Sequence, residues 1–149
     1  MSSSGPEKTV NEREALVRSL IGVFDNAGYV IHGASGIEGF DHPPSIRNDG
    51  YGSGRPRIPD VVGFDRDRRR IVFGLVKTTR ESLDSEDALE EYNVFLDHNA
   101  GLGESASVLV IMMPQDYLPE FMSIITHYIH REYWHRIVPV ASGQLPGAR

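Results

Sequence analysis

Apolar residues recur at helical spacing in three parts of the chain and at strand spacing in others. Leu16, Leu20, Phe24 and Ala27 stand three to four apart, with Val17 and Ile21 beside them. This predicts an amphipathic helix over 10–27. Thr9 and Glu12 have capping-box spacing, and Gly28 is placed to stop the helix. Glu14 precedes Val17 and Ile21 by three and seven residues, which puts it at the N-terminal edge of the buried face. A short strand, GYVIHG, is followed by an irregular Gly-, Pro-, Ser- and Asn-rich segment over 34–56. IPDVVGF and RIVFGLVKT read as two strands joined by a DRDRRR turn, a β-hairpin. SEDALEEYNVFLDHN predicts a second helix with Ser85 as N-cap, Glu86 and Asp87 at its positive end, and Leu89, Tyr92, Phe95 and Leu96 inward. SASVLVIMM is almost continuously apolar, which predicts a strand buried on both faces. DYLPEFMSIITHYIHREYW reads as a third helix, with Leu118, Phe121, Met122, Ile125 and Ile129 inward, and RIVPVAS as a last strand.

The order is α-β-β-β-α-β-α-β, without internal repeats. It predicts a single α/β domain over 9–142, a central mixed β-sheet flanked by helices. Residues 1–8 are expected to be a disordered lead-in and 143–149 a tail.

Composition narrows the picture. The 149 residues include no cysteine, which excludes disulfides and thiolate metal sites and fits a reducing cytoplasm. No apolar run approaches a membrane span of ~20 residues, and MSSSGPEKT lacks the apolar core of a signal peptide. The net charge of -6 argues against nonspecific nucleic-acid binding by the whole surface. The charge is polarised, however. Arg47, Arg55, Arg57, Arg66, Arg68, Arg69, Arg70, Lys77 and Arg80 face only four acids (Asp49, Asp60, Asp65, Asp67) in the same stretch, whereas 81–130 holds ten acids and no Lys or Arg. The basic middle suits phosphates; the DRDRRR turn reads equally well as a solvated hairpin end.

Within the hairpin, Phe73, Leu75 and Lys77 share one strand face by alternation. A lysine on an apolar strand needs a carboxylate, a phosphate or solvent, because an unpaired buried ammonium is costly. Asp60, after Pro59 on the first strand, can face a residue near Lys77 on the second. Hydrolysis of a phosphodiester requires a nucleophilic water and relief of phosphate charge; Mg²⁺ supplies both and prefers carboxylate oxygens.

The element order together with Pro59-Asp60 and Leu75-Val76-Lys77 resembles the PD-(D/E)xK nuclease superfamily, which includes restriction-endonuclease-like and Holliday-junction-resolvase-like members. The resemblance spans most of the chain, from first helix to last strand, but its specific part is short. It implies a restriction-endonuclease-like fold and a Mg²⁺ (or Mn²⁺) site for phosphodiester hydrolysis. Asp60 would hold metal, Lys77 would orient water or stabilise charge, and Glu14 would add a carboxylate from the first helix. The sequence departs from the pattern at Leu75, where the second acid should stand. In that superfamily the acid can migrate to the second helix, and three candidates could replace it: Glu91 on that helix, its neighbour Glu90 on a more exposed face, and Glu81 directly after the strand. Taken one by one, Glu81, Glu90 and Glu91 each read better as a solvated helix-surface acid.

Arg55, Arg57, Arg66, Arg68, Arg69 and Arg70 are candidates for gripping a nucleic-acid backbone, and Tyr51 in RNDGYGSG offers a stacking face. That glycine-rich loop lacks the GK[ST] ending of a phosphate loop. His127, His130 and His135 could ligate zinc, but with no HExxH-type acid they read better as an aromatic-histidine surface with Tyr128, Tyr133 and Trp134. A homodimer could form there. Two main functions fit these residues: a nuclease with a displaced acid, or a nuclease-like fold without turnover that binds nucleic acid or protein. A scaffold whose partner binds the acidic 81–120 face is a third.

Overall fold

The DRDRRR turn forms as expected, and the sheet extends outward from it on both sides. A computed structural model describes residues 5–46, 55–98 and 106–142. Five strands, β1 (Val30–Ala34), β2 (Val61–Asp65), β3 (Arg70–Val76), β4 (Val108–Met113) and β5 (Ile137–Ala141), lie side by side in chain order. β1–β2 and β2–β3 are antiparallel; β3–β4 and β4–β5 are parallel. Parallel neighbours need long crossovers, and helices supply them. α2 (Glu81–Asp84) and α3 (Glu86–Asp97) lie between β3 and β4, and α4 (Leu118–Tyr128) between β4 and β5. The result is an α/β domain with a mixed sheet between helical layers.

Strand alternation divides the core in two. Val17, Leu20 and Phe24 of α1 (Gly5–Asn26) pack on Val61, Val72, Val76, Val108, Val110 and Met112. On the other face Phe73, Leu75, Leu109, Ile111 and Met113 meet Tyr92, Phe95 and Phe121 of α3 and α4. All six residues of β4 are buried, as its continuous apolar run predicts.

Local signals place several boundaries. The Ser85 hydroxyl accepts a 3.0 Å bond from the Ala88 amide and caps α3. Gly28 adopts φ 84°; its amide bonds to the Asp25 carbonyl while Tyr29 bonds to Phe24, a Schellman stop for α1. The buried Asp65 carboxylate accepts from the Asp67 and Arg68 amides, so the DRDRRR turn is organised from within rather than only solvated.

Several expectations need correction, among them Met122, expected inward on the third helix but 46% exposed. α1 starts at Gly5, so Thr9 lies inside it and residues 5–8 are helix, not lead-in; Pro6 in the first turn is compatible with that start. α2 was not foreseen. The third helix is split: α4 ends at Tyr128, and a 3₁₀ segment runs Arg131–Arg136. The Trp134 indole donates to the Ile129 carbonyl at 2.9 Å, and the His130 imidazole accepts from the Glu132 amide. These bonds satisfy the groups freed at the break.

α1 lies close on the hairpin because β2 and β3 carry glycine beneath it. A Cβ at Gly63 would stand 2.9 Å from the Val30 carbonyl oxygen and 3.0 Å from the Phe24 ring. The backbone atom cannot swing away. Gly63→Ala should therefore cost about 1–3 kcal/mol, read as a lower denaturant midpoint with unchanged slope.

Candidate functional site

Asp60 sits where the loop meets β2. Its amide donates to the Gly74 carbonyl at 2.8 Å, and its own carbonyl accepts from the Ser35 amide at 2.8 Å. These bonds fix its backbone against both β3 and the turn after β1. The residue is only 7% exposed. One carboxylate oxygen accepts the Val76 amide at 2.9 Å; the other is held by the Arg13 guanidinium. The carboxylate is thus anchored one residue from Lys77.

Lys77 continues the β3–β4 ladder by donating its amide to Met112 at 2.9 Å. Its side chain is buried. Nζ lies 2.8 Å from Glu91 Oε1 and 5.4 Å from the centre of the Tyr92 ring. The charge is therefore compensated by the glutamate proposed as the displaced acid. Leu75, on the same strand face, is 2% exposed and belongs to the core beneath α3. The position that should carry the second acid is an apolar core position here.

A second cluster adjoins this pair. Arg57, 5% exposed, donates to Asp87 at 2.9 and 3.1 Å, and Arg55 donates to the same carboxylate at 2.6 Å. Arg57 also lies 3.9 Å from Glu90. Burial alone would lower the Arg57 pKa. The bond to Asp87 and the charges of Asp87, Glu91 and Glu90 outweigh it, so its pKa is raised. The bond from Arg57 in turn holds Asp87 below the ordinary aspartate value of 3.8, against a smaller opposing effect of burial. A depressed aspartate contributes stability that is full above its ordinary value and is lost as pH falls through its folded value. The melting-temperature gap between wild type and Asp87→Asn at neutral pH should therefore close as the pH drops below 3.8.

Tyr92 is not available as a proton donor. Burial first, then the Glu91 and Asp84 charges, push its phenol far up, and its hydroxyl donates to the Leu83 carbonyl at 2.8 Å.

The structure brings together Lys77 with Glu91, and Arg55 and Arg57 with α3. It does not bring Glu14 into the expected role. The Glu14 carboxylate takes Arg18 at 3.0 and 3.2 Å, and the α1 side chain that reaches Asp60 is the neighbouring Arg13. Among the described residues no group of three or more His, Asp or Glu is gathered to hold a metal ion. The expected three-carboxylate set of Asp60, Glu14 and Glu91 is thus not assembled, nor is a histidine site at His127, His130 and His135. All three imidazoles are exposed. Glu81 is exposed at the start of α2. Arg66, Arg68 and Arg69 are exposed at the hairpin tip, while Arg70 is half-buried with Nε 3.5 Å from Asp65. Tyr51 lies outside the described residues. Arg13 and Asp87 were missed as site residues. Asp87 carried a signal only as a first-turn acid, and Arg13 none beyond adjoining Glu14.

Asp60, just before β2, and Glu91 on α3 remain as hard oxygen donors. Mg²⁺ characteristically takes one or two protein carboxylates and keeps several waters, so this donor set fits it chemically. The Arg13 side chain is 44% exposed and has solvent to move into if a cation displaces it from Asp60. No helix among the described residues is long and apolar enough to cross a membrane. Compared with known proteins, the chain matches no family model, no curated protein and no solved structure.

Proposed function

We propose that the chain is a PD-(D/E)xK-type, restriction-endonuclease-like protein that acts on nucleic acid by divalent-metal-dependent phosphodiester hydrolysis, with Glu91 as the displaced acid. The 2.8 Å contact between Lys77 and Glu91 carries this reading, since it puts a helix carboxylate at the lysine on the strand face where Leu75 supplies none. Asp60 and Glu91 would hold Mg²⁺ or Mn²⁺, which supplies charge relief at phosphate and a bound water of lowered pKa. Lys77, released from Glu91 in part, stabilises developing negative charge or orients that water. Arg13 neutralises Asp60 when no cation is present. Arg55 and Arg57 offer phosphate donors at the same rim, and Arg66, Arg68, Arg69 and Arg70 further along the hairpin.

The protein should cleave nucleic acid in Mg²⁺ or Mn²⁺ and lose that activity in Asp60→Ala and in Lys77→Ala. The proposal fails if wild type neither binds nor cleaves nucleic acid and both variants are indistinguishable from it.

One observation favours the alternative of an inactive nuclease-like module. Asp60, Glu91 and Glu14 are each closed by a cation of the chain itself, Arg13, Lys77 and Arg18. Binding without cleavage would support that alternative. Exposed Met122 and Trp134 line a groove with Ile137 and Pro139 of β5, the edge strand among the described residues, where Val138 is also exposed, and support homodimerisation there. Cysteine-free composition suits the cytoplasm.

A further inference from the structure

α3 and α4 pack on β3 and β4, but among the described residues no helix packs comparably on the same face of the sheet at β1 and β2. An open cleft of about 270 Å³ remains there, lined by His32, Pro44, Val62, Gly63, Phe64 and Ile71. Its volume falls just below the ~300–1,000 Å³ of drug-sized pockets, which suits one planar ring rather than an extended ligand. His32 is exposed and Phe64 half-buried, so two aromatic side chains line an otherwise aliphatic slot. By alternation Val62 and Phe64 point to the same face of β2, and Asp60 stands just before its first residue. Four residues of strand separate Asp60 from Phe64, roughly 13 Å. Immediately beyond Phe64 the hairpin tip exposes Arg66, Arg68 and Arg69. The tip from Asp65 to Arg70 has four arginines and two aspartates, a net charge of +2, on a chain whose total is -6.

We propose that this cleft receives an unpaired base of a single-stranded nucleic acid, with the flanking phosphates on Arg66 and Arg69 and the strand running along β2 toward Asp60. The inference rests on the nucleic-acid reading above and specifies its substrate class. A base inside a duplex has both faces stacked and cannot enter a slot in a sheet, whereas an unpaired base can lie against an aromatic ring irrespective of its identity. The charge argues for a polyanion over an apolar peptide: the exposed arginines of the hairpin tip begin two residues after Phe64, which lines the slot.

The test is fluorescence-anisotropy binding of a labelled oligothymidylate and of a duplex of equal length, in EDTA so that no cleavage is required. Single strand should bind more tightly than duplex. Phe64→Ala should weaken single-strand binding about tenfold, as loss of one stacked base does. Because Phe64 contributes to packing, His32→Ala at an exposed position is the second variant, and Phe64→Trp should retain binding. Arg66→Ala with Arg69→Gly should flatten the log–log salt slope by about 1.4, for two phosphates at ~0.7 each. Glycine suits position 69, where the backbone has φ 54°. The proposal is overturned if duplex and single strand bind equally, or if Phe64→Ala and His32→Ala both stay within twofold of wild type. It is also overturned if the cleft is closed instead by self-association, seen as a dimer in sedimentation that Phe64→Ala dissolves. Single-strand binding without Mg²⁺-dependent cleavage would keep this inference and remove the hydrolytic one; cleavage restricted to duplex would do the reverse.

Discussion

Glu91→Gln should destabilise the protein by about 3 kcal/mol, the lower end of the cost of stripping one partner from a buried ion pair. The Lys77 side chain is 9% exposed and that of Glu91 is 18%. Removing the glutamate charge leaves the ammonium against the Tyr92 ring with no carboxylate bonded to it, whereas removing the lysine leaves a carboxylate that water reaches more readily. Lys77→Met should therefore cost less, about 1 kcal/mol, since methionine retains much of the packed stem. The double variant Lys77→Met/Glu91→Leu should recover to near wild type, because an apolar replacement of a buried pair is often neutral or stabilising. Denaturant unfolding of the four proteins gives the coupling directly. The double variant also separates structure from chemistry. If the pair serves catalysis, stability returns and cleavage does not.

Asp60→Asn should abolish cleavage, at least a hundredfold, while costing only about 1 kcal/mol of stability. An amide oxygen can still accept the Val76 amide, so the connection between the loop and β3 survives. What is lost is the negative charge that faces Arg13 and that a cation would require. Asp60→Ala removes the acceptor as well and leaves the Val76 amide unsatisfied, an added cost of about 1–3 kcal/mol. A melting curve for each variant beside its cleavage rate distinguishes a collapsed loop from a missing ligand.

How far the sequence disclosed all this depends on the range of the interactions. Features set within a few residues were legible: the Gly28 stop, the Ser85 cap, the hairpin about DRDRRR and the apolar run of β4 all form where their local chemistry places them. The pairing of Lys77 with Glu91 was also accessible, because a buried ammonium demands a carboxylate and α3 is the first long helix after β3. Features set by distant contacts were not. The break after Tyr128 depends on the Trp134 indole reaching back to Ile129, which periodicity alone does not encode. The clasp of Arg57 on Asp87 joins residues thirty apart, and Asp87 looked like a first-turn acid only. Glu14 and Arg13 are one residue apart, yet about 100° around a helix separates them. That rotation decides whether α1 offers the site a carboxylate or a cation.

The most direct test of the central claim is a crystal soaked in Mn²⁺ and examined for anomalous scattering. A site shared by Asp60 and Glu91 predicts one peak between these carboxylates, with Arg13 turned away from Asp60 and Lys77 still beside the metal-bound Glu91. Saturating Mn²⁺ that leaves Asp60 on Arg13 and Glu91 on Lys77, with no peak between them, would contradict it.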